Sequence, residues 1–542
     1  MLQLLLVLTA SAGAAQRTEI PFSYNWRHKW TSAWDGPDGI PGPYGSDNNV
    51  APLSGYWDVL PSGTECDGPV EQNPNRFNAS DCATSCAYDS TCLMWQHNDE
   101  RRCKHGFAGY TCSSGSSRYV AGGTRTPEQA GAPLKTDYPW AAPSYDDSAW
   151  EVVSAPHDAI ISAGNFSAGA DSHHGFIERN GTIWYRKTFE APKEWQGQVV
   201  FVRFEGVFHF VTAWLNGKVL ATRGDTEGGY SEFTVRLDNA TAGGLSGTQV
   251  LALRVDASYG SGHWYEGGGL YRDVQLVVVP AVHVVEDGLF VSPEVSVSES
   301  EATSVPVTLE LENLDGAEAV SVDVDFSLLS LDSGEVLASA TASASVPPTT
   351  GVPVAATVTV SATLSAPAGA VQAWSVSKGA SMYTVRAVVS ASGSAADEVS
   401  TVTGFRSTDA TVDAKYSLNQ ESFELRGFSH HNSFATMGVA LPPRVDLFRA
   451  QQSKAMGANF WRMSHNPYRR STYEILDRIG LLVWDEHRDY GERYVPGVYS
   501  MVKRSRNRPS VIMWSFCNEY GERAWARAEW VAGGMRSRAR PP

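Results

Sequence analysis

A chain of 542 residues is too long for a single hydrophobic core, and ordinary domain sizes imply about three or four domains. With 42% hydrophobic and 19% charged residues it has a globular composition, and a formal net charge of −16 leaves no basic surplus to neutralise phosphates, which argues against nucleic acid as a partner. The 17 Trp, 21 Tyr and 20 Phe suit β-sandwich cores and also stacking on the apolar faces of sugars.

The chain begins with an apolar run, Leu4-Leu5-Leu6-Val7-Leu8, followed by small residues from Ala10 to Ala15. The run is too short to span a bilayer and reads as a secretory signal over residues 1–15, although no Lys or Arg precedes it. No other stretch is long and apolar enough for a membrane span. Residues 16–53, rich in Gly, Pro and Trp, read as an irregular lead-in. Six of the seven cysteines then crowd into 54–120: Cys66, Cys82, Cys86, Cys92, Cys103 and Cys112, with Cys517 far downstream. An even cluster behind a signal implies a disulfide-stapled module of open connectivity; zinc is the weaker alternative, since no Cys-x-x-Cys pair occurs. The expected location is therefore secreted, either extracellular or in an endomembrane lumen. Acceptor triplets at Asn78, Asn165, Asn180 and Asn239 are compatible with a glycoprotein.

From Tyr145 onward the pattern is β. Val199 to Phe204 is strand-like, and Val211–Leu215 and Lys218–Leu220 flank Asn216-Gly217, a strong two-residue hairpin signal. Further strands are expected at Phe233–Leu237 and Val250–Val255, which together make a sandwich. Between 282 and 404, Val305, Val307, Leu309 and Leu311 alternate strictly, as do Val320, Val322, Val324, Phe326 and Leu328, with a turn at Asp332-Ser333-Gly334. Period two over such spans predicts half-buried strands and an immunoglobulin-like sandwich that serves as a spacer.

After Phe405 the period changes. Glu424–Gly427, Ala458–Arg462, Leu481–Trp484 and Ser510–Trp514 read as four strands. A helix is expected over 444–456, with Val445, Phe448, Ala455 and Met456 on its packed side, and a second opens on the capping box Ser471-x-x-Glu474 and stops at Gly480. Repeated βα units imply a parallel sheet, whose chemistry belongs at the C-terminal strand ends. His430, His431 and Asn432 follow the first strand, His465 and Asn466 the second, Asp485 and Glu486 the third, and Asn518 and Glu519 the fourth.

The strings RGFSHHNS, GANFWRMSHNP, DRIGLLVWDE and RSRNRPSVIMWSFCNE resemble the barrel of glycoside hydrolase family 2, the β-galactosidase/β-glucuronidase family. Upstream, Tyr145–Trp150, Trp184–Phe189 and Gly267–Val274 resemble that family's jelly-roll domain, and Asp81–Cys86 with Cys92–Trp95 resembles a PAN/apple-like module, with a plain disulfide-rich insertion as the alternative. The resemblance implies a multidomain β plus α/β fold: a jelly-roll β-sandwich at 130–281, an immunoglobulin-like β-sandwich at 282–404, and the first half of a (β/α)8 barrel at 405–535, before a tail at 536–542. It also implies an exo-acting, retaining β-glycosidase, most like a β-galactosidase, with a carbohydrate as substrate. Glu519 would be the general acid/base, Asn518 the partner of the sugar 2-hydroxyl, His431 and His465 binders of other hydroxyls, and Asp485 an acid lining the pocket. Asn180 matches the place where the jelly roll reaches the active site, although it is also a sequon. His430 is expected to be structural, Trp514 to lie in the core, and Glu486 to pair with Arg462 or Arg488 if it is structural. Trp264 and Tyr265 suit either sugar stacking or packing at the sandwich edge.

No cofactor is expected. Some relatives hold magnesium near the acid/base, but Asp485-Glu486-His487-Arg488-Asp489-Tyr490-Gly491 is shorter and differently ordered than their ligand pattern. Retention requires a second carboxylate about 5–5.5 Å from the first, which the family carries on its seventh strand. Only 23 residues follow Glu519, so the nucleophile is expected to be absent from this chain and the chain alone to be inactive. The alternatives are a non-catalytic carbohydrate-binding glycoprotein, a half-barrel that needs a partner chain, and β-glucuronide or β-mannoside as the substrate. No sequence feature bears on oligomeric state.

Overall fold

In the computed structural model the described residues are 17–31, 138–164, 182–223, 229–238, 244–257, 264–314, 318–349, 357–391, 394–410, 416–488, 495–515 and 518, together with the backbone of seven strands between 58 and 124. A first sandwich packs a four-stranded sheet, ordered Thr18–Pro21, Val274–Val279, Val199–Phe204, Phe233–Arg236, on a six-stranded sheet, ordered Glu151–Val153, Trp26–Thr31, Thr182–Ala191, Gly247–Asp256, Phe210–Leu215, Lys218–Arg223. Val200, Val202 and Phe204 share one buried core with Ile183, Tyr185, Leu251, Leu253 and Val255. The predicted hairpin forms at Asn216 (φ 51°) and Gly217 (φ 82°), the left-handed pair that a type I′ turn requires.

The lead-in at 16–53 is corrected in part. Thr18–Pro21 pairs with Val274–Val279, and Trp26–Thr31 lies between Glu151–Val153 and Thr182–Ala191. Trp26 is fully buried, edge-on to Tyr185, with its indole N–H on the Phe22 carbonyl at 2.9 Å. Its partner strands lie more than 120 residues downstream, and only that pairing makes this segment a strand. The cysteine module is thus inserted between two strands of one sandwich. Its backbone forms a five-stranded sheet and a two-stranded ladder, which sets Cys66 across from Cys112. The cysteine side chains, residues 1–15 and all four sequon asparagines lie outside the described residues.

The second sandwich follows the alternation closely. Val282–Val291, Thr303–Asn313 and Val358–Ala366 form one sheet; Val336–Val346, Val320–Ser330, Tyr383–Ala391 and Ser394–Thr403 form the other. Val305, Val307, Leu309, Leu311, Val322, Val324, Phe326 and Leu328 are all buried in one core. Each such side chain contributes about 1.5–3 kcal/mol by leaving water.

A three-stranded sheet (Thr408–Ala410, Tyr416–Leu418, Glu421–Phe423) precedes the α/β unit. There the order is β1 Gly427–His430, α1 Pro443–Ala455, β2 Phe460–Met463, α2 Arg470–Ile479, β3 Leu482–Glu486, α3 Val495–Ser505 and β4 Val511–Ser515. The strands are parallel and adjacent in chain order, the first half of an α/β barrel. The expected strand at Glu424–Gly427 therefore starts at Gly427, where a Cβ would fall 1.9 Å from the Phe460 carbonyl oxygen. Trp461, Met463, Val483 and Val511 pack with Ala450, Tyr473 and Leu476 of the helix layer. Phe460, Leu482 and Ile512 pack on the opposite face.

Two helix expectations are corrected. α1 buries Asp446, Ala450 and Ser453 and exposes Leu447, Phe448, Ala455 and Met456. The reason is polar: Asp446 accepts from Arg469 Nε (3.1 Å) and Nη2 (2.9 Å) and from the Thr472 hydroxyl (2.7 Å), which fixes that face inward. α2 starts from Arg469 without a side-chain cap, so Ser471 lies inside the helix and the capping box does not form. Gly480, in the left-handed region at φ 75°, ends it as expected.

The sandwiches hold the α/β unit at both ends. Trp374 Nε1 donates to the Asp477 carbonyl (2.8 Å), and Arg406 donates to the carbonyls of Pro509 (2.6 Å) and Val511 (2.7 Å). At the other end Arg470 of α2 pairs with Glu232 of the first sandwich (2.5 Å) and Asp287 of the second (2.8 Å). Burial would raise the Asp287 carboxyl, but Arg470 outweighs it and holds the group at about 2.

Candidate functional site

Strand alternation decides which polar residues meet. On β3 the side chains of Val483 and Asp485 point to the helices, while Trp484 and Glu486 point to the opposite face. Glu486 is fully buried and committed to two cations or donors. One oxygen accepts from Arg462 Nη2 (2.7 Å) and Nε (3.1 Å), and the other lies 2.6 Å from His465 Nδ1. With Nδ1 held by Glu486, Nε2 is the His465 nitrogen left to face a hydroxyl. Arg462 Nη2 also donates to Asn518 Oδ1 at 2.8 Å. With its oxygen held, the Asn518 amide presents its NH2 as a donor.

His431 extends β1 into the same place. Its ring lies 5.3 Å from that of His465, nearly perpendicular, and stacks on Trp264 at 4.9 Å and 29°. Trp264 belongs to the first sandwich and also meets His465 edge-on at 5.4 Å; the Arg488 guanidinium lies 4.7 Å from its ring centre. Burial, then His465, Arg449, Arg462 and Arg488, push the His431 imidazole down to about 4. It is neutral at pH 7, able to accept and donate one hydrogen bond each. His430 faces the other way: it stacks on Trp461 at 3.5 Å and 15°, with Arg449 and Ser453 each at 3.4 Å, and burial pushes it to about 3. His430 is thus structural and His431 the inward ring.

The β4 end brings Asn518 to Arg462, and β1, β2 and β3 bring His431, His465 and Glu486. Asp485 does not join them. It is fully buried on the helix side, accepts from the Tyr473 hydroxyl at 2.7 Å, and is raised to about 6 by burial. The expectation that it lines the pocket is corrected, and the next residue, Glu486, is the inward acid because side chains alternate along a strand. Trp514 is also corrected: it is 39% exposed, with its indole N–H on the Ser505 hydroxyl at 2.9 Å. Glu519 and Asn180 lie outside the described residues.

Two contributors carried little signal in the sequence. Asp158 caps the short helix Ala159–Ala163, accepts from the Tyr265 hydroxyl at 2.8 Å, and accepts from the Val439 backbone N–H of the β1–α1 loop at 3.0 Å. Arg488 stands over Trp264 from the far end of β3. The glycines at 267 and 438 were the available signal for the first: both have positive φ, and a Cβ on either would come within 2.2 Å of Val439 or Asp158 respectively.

Asp485 and Glu486 do not suit a divalent cation, since Tyr473, Arg462 and His465 already hold them. Among the described residues, Glu232, Glu286 and Asp287 are close enough together to hold an ion, and Arg470 supplies the positive charge there.

Comparison with known proteins fits this arrangement. The profile of the glycosyl hydrolases family 2 sugar binding domain matches residues 165–280, and that of the family's TIM barrel domain matches 410–496. A β-galactosidase, BoGH2A, of Bacteroides ovatus is 30% identical over 405 residues, 72% of this chain and 45% of that protein. A β-glucuronidase of Formosa agariphila is 25% identical over 419 residues, 71% of this chain and 40% of its own. The crystal structure of a glycosyl hydrolase family 2 member from Bacteroides cellulosilyticus superposes with a TM-score of 0.64 at 25% identity, over 73% of this chain and 53% of that one. A β-glycosidase from Bacteroides vulgatus gives a TM-score of 0.63 at 26% identity, over 73% and 50%. The chain spans about half the length of these relatives or less. Two sandwiches, a parallel sheet with polar groups at its C-terminal ends, and matches to both domain profiles place the chain in glycoside hydrolase family 2, whose members hydrolyse glycosidic bonds.

Proposed function

We propose that this protein acts as an exo-β-glycosidase on terminal β-linked sugars with retention, and that β-galactosides are its preferred class. The observation that carries the reading is the convergence of His431, His465 and Asn518 on one side of the parallel sheet, with Arg462 and Glu486 orienting the latter two. Imidazole nitrogens and an amide donor match sugar hydroxyls. Asn518 donates to the 2-hydroxyl, where hydrogen bonds strengthen as the oxocarbenium-like transition state forms. Glu519, one residue on, protonates the leaving oxygen while a second carboxylate, which the family carries on its seventh strand, bonds the anomeric carbon, and Glu519 then activates the water that breaks that bond. Glu486 is not the nucleophile in this reading, because Arg462 and His465 hold both of its oxygens.

β-Glucuronides are the second reading, favoured by Arg488 beside Trp264, a cation suited to a uronate carboxylate. Secretion remains part of the proposal, supported by the N-terminal apolar run and the six clustered cysteines. Hydrolysis of aryl β-galactoside and aryl β-glucuronide tests the assignment. Where the second carboxylate is supplied, faster turnover of the galactoside, reduced at least ~100-fold in Glu519→Gln, is expected from loss of general acid catalysis; without it, binding but no turnover is expected. Preference for the glucuronide would install the second reading. Galactoside binding without turnover even with the second carboxylate supplied would leave a carbohydrate-binding glycoprotein.

A further inference from the structure

We propose that Trp264, a residue of the first sandwich, is a positioning residue that sets the ring planes of His431 and His465 and so makes the sandwich part of the barrel's sugar site. The proposal rests on the glycosidase reading above.

The indole is anchored before it touches either ring. The next residue, Tyr265, donates its hydroxyl to Asp158, and the same carboxylate accepts the Val439 backbone N–H from the barrel loop. Gly267 and Gly438 have positive φ, and neither site has room for a side chain. The two backbones therefore meet at a fixed distance, and Trp264 is delivered over the strand ends.

His465 has a polar anchor in Glu486, which fixes one of its nitrogens. His431 has none at Nδ1, which is buried with no hydrogen-bond partner among the described residues. The planar contact with Trp264 at 4.9 Å and 29° is what fixes the orientation of that ring. The indole in turn carries Arg488 over its face at 4.7 Å and meets His465 edge-on at 5.4 Å. Its own Nε1 is buried with no hydrogen-bond partner among the described residues, where stacking is the contact that holds the ring. The same contact covers one face of the half-buried His431 ring. The charges facing that imidazole are His465, Arg449, Arg462 and Arg488, all of which favour its neutral form, the form a hydroxyl can both donate to and accept from.

The test compares Trp264→Ala, Trp264→Phe and Trp264→Leu in the whole chain. Two quantities are read: the NMR titration of the His431 ring, and the Kd of a β-galactoside by calorimetry. Wild type should titrate near 4. Trp264→Ala should move that titration up by a unit or more and weaken the Kd about tenfold, since the geometry of binding is disturbed. Trp264→Phe keeps a flat ring and should restore both quantities to within about twofold of wild type. A folded alanine variant with unchanged titration and Kd would overturn the proposal, as would a phenylalanine variant as disturbed as alanine. If alanine does not fold, leucine against phenylalanine gives the same comparison, with only leucine expected to shift. A wild-type protein that bound no β-glycoside would refute the glycosidase reading, and the titration alone would then uphold or overturn the positioning role.

Discussion

The immunoglobulin-like sandwich and the strand-end pocket are both well buried, and they are built from opposite materials. The core cluster of the sandwich is almost wholly Val, Leu, Phe and Ala, side chains that need no partner, and the buried Asp397 beside it is held by Arg17 at 2.9 Å. In the pocket, Glu486 is as inaccessible as Val324, yet it is held by Arg462 and His465 at 2.6–3.1 Å. Burying a charge is costly unless it is paired and hydrogen-bonded, so the pocket gives up stability that an apolar core would supply. Burial yields free energy in the spacer core and costs it at the strand ends, as it does at the paired Asp446 on the helix side.

The comparison breaks if sandwich variants act on sugar binding or if pocket variants act only on folding. The largest expected effect is Phe326→Ala in the sandwich core, a loss of about 3–5 kcal/mol of unfolding free energy by denaturant titration. Sugar affinity of the folded fraction should stay as in wild type; a weaker affinity would join the two regions energetically. Next is Glu486→Gln, which removes a charge-assisted acceptor of ~1.5–3 kcal/mol, or about 10–100-fold in sugar affinity by calorimetry. A thermal midpoint that fell while affinity held would make Glu486 a purely structural acid.

The smallest effect is the response to acid. His430 and His431 are held near 3 and 4 in the fold, chiefly by burial, against an ordinary 6.5. Below about 6.5 the unfolded chain binds protons that the folded one does not, so their contribution to stability is complete above that pH and is lost as pH falls toward 4. The thermal midpoint should decline over that window, and His430→Phe should flatten the decline. An equal decline in the variant would move the acid sensitivity to other buried rings, His157 among them.

The sequence by itself determined a good deal. Alternation at 305–311 and 320–328 is local and apolar, so it predicts its own burial. Asn216-Gly217 specifies its turn because few residue pairs accept those angles. The strings at the strand ends place His431, His465 and Asn518 where the structure brings them together. Tertiary structure decided what depends on a distant partner. Thr18–Pro21 and Trp26–Thr31 become strands only when paired with segments far along the chain. The inward face of α1 is set by Asp446 meeting Arg469, not by the apolarity of Leu447 and Phe448. The choice of Glu486 over Asp485 turns on the phase of β3, since a shift of one residue exchanges the faces of a strand. Trp264 joined the pocket because two domains dock there, and no local pattern encodes a contact between residues 167 apart.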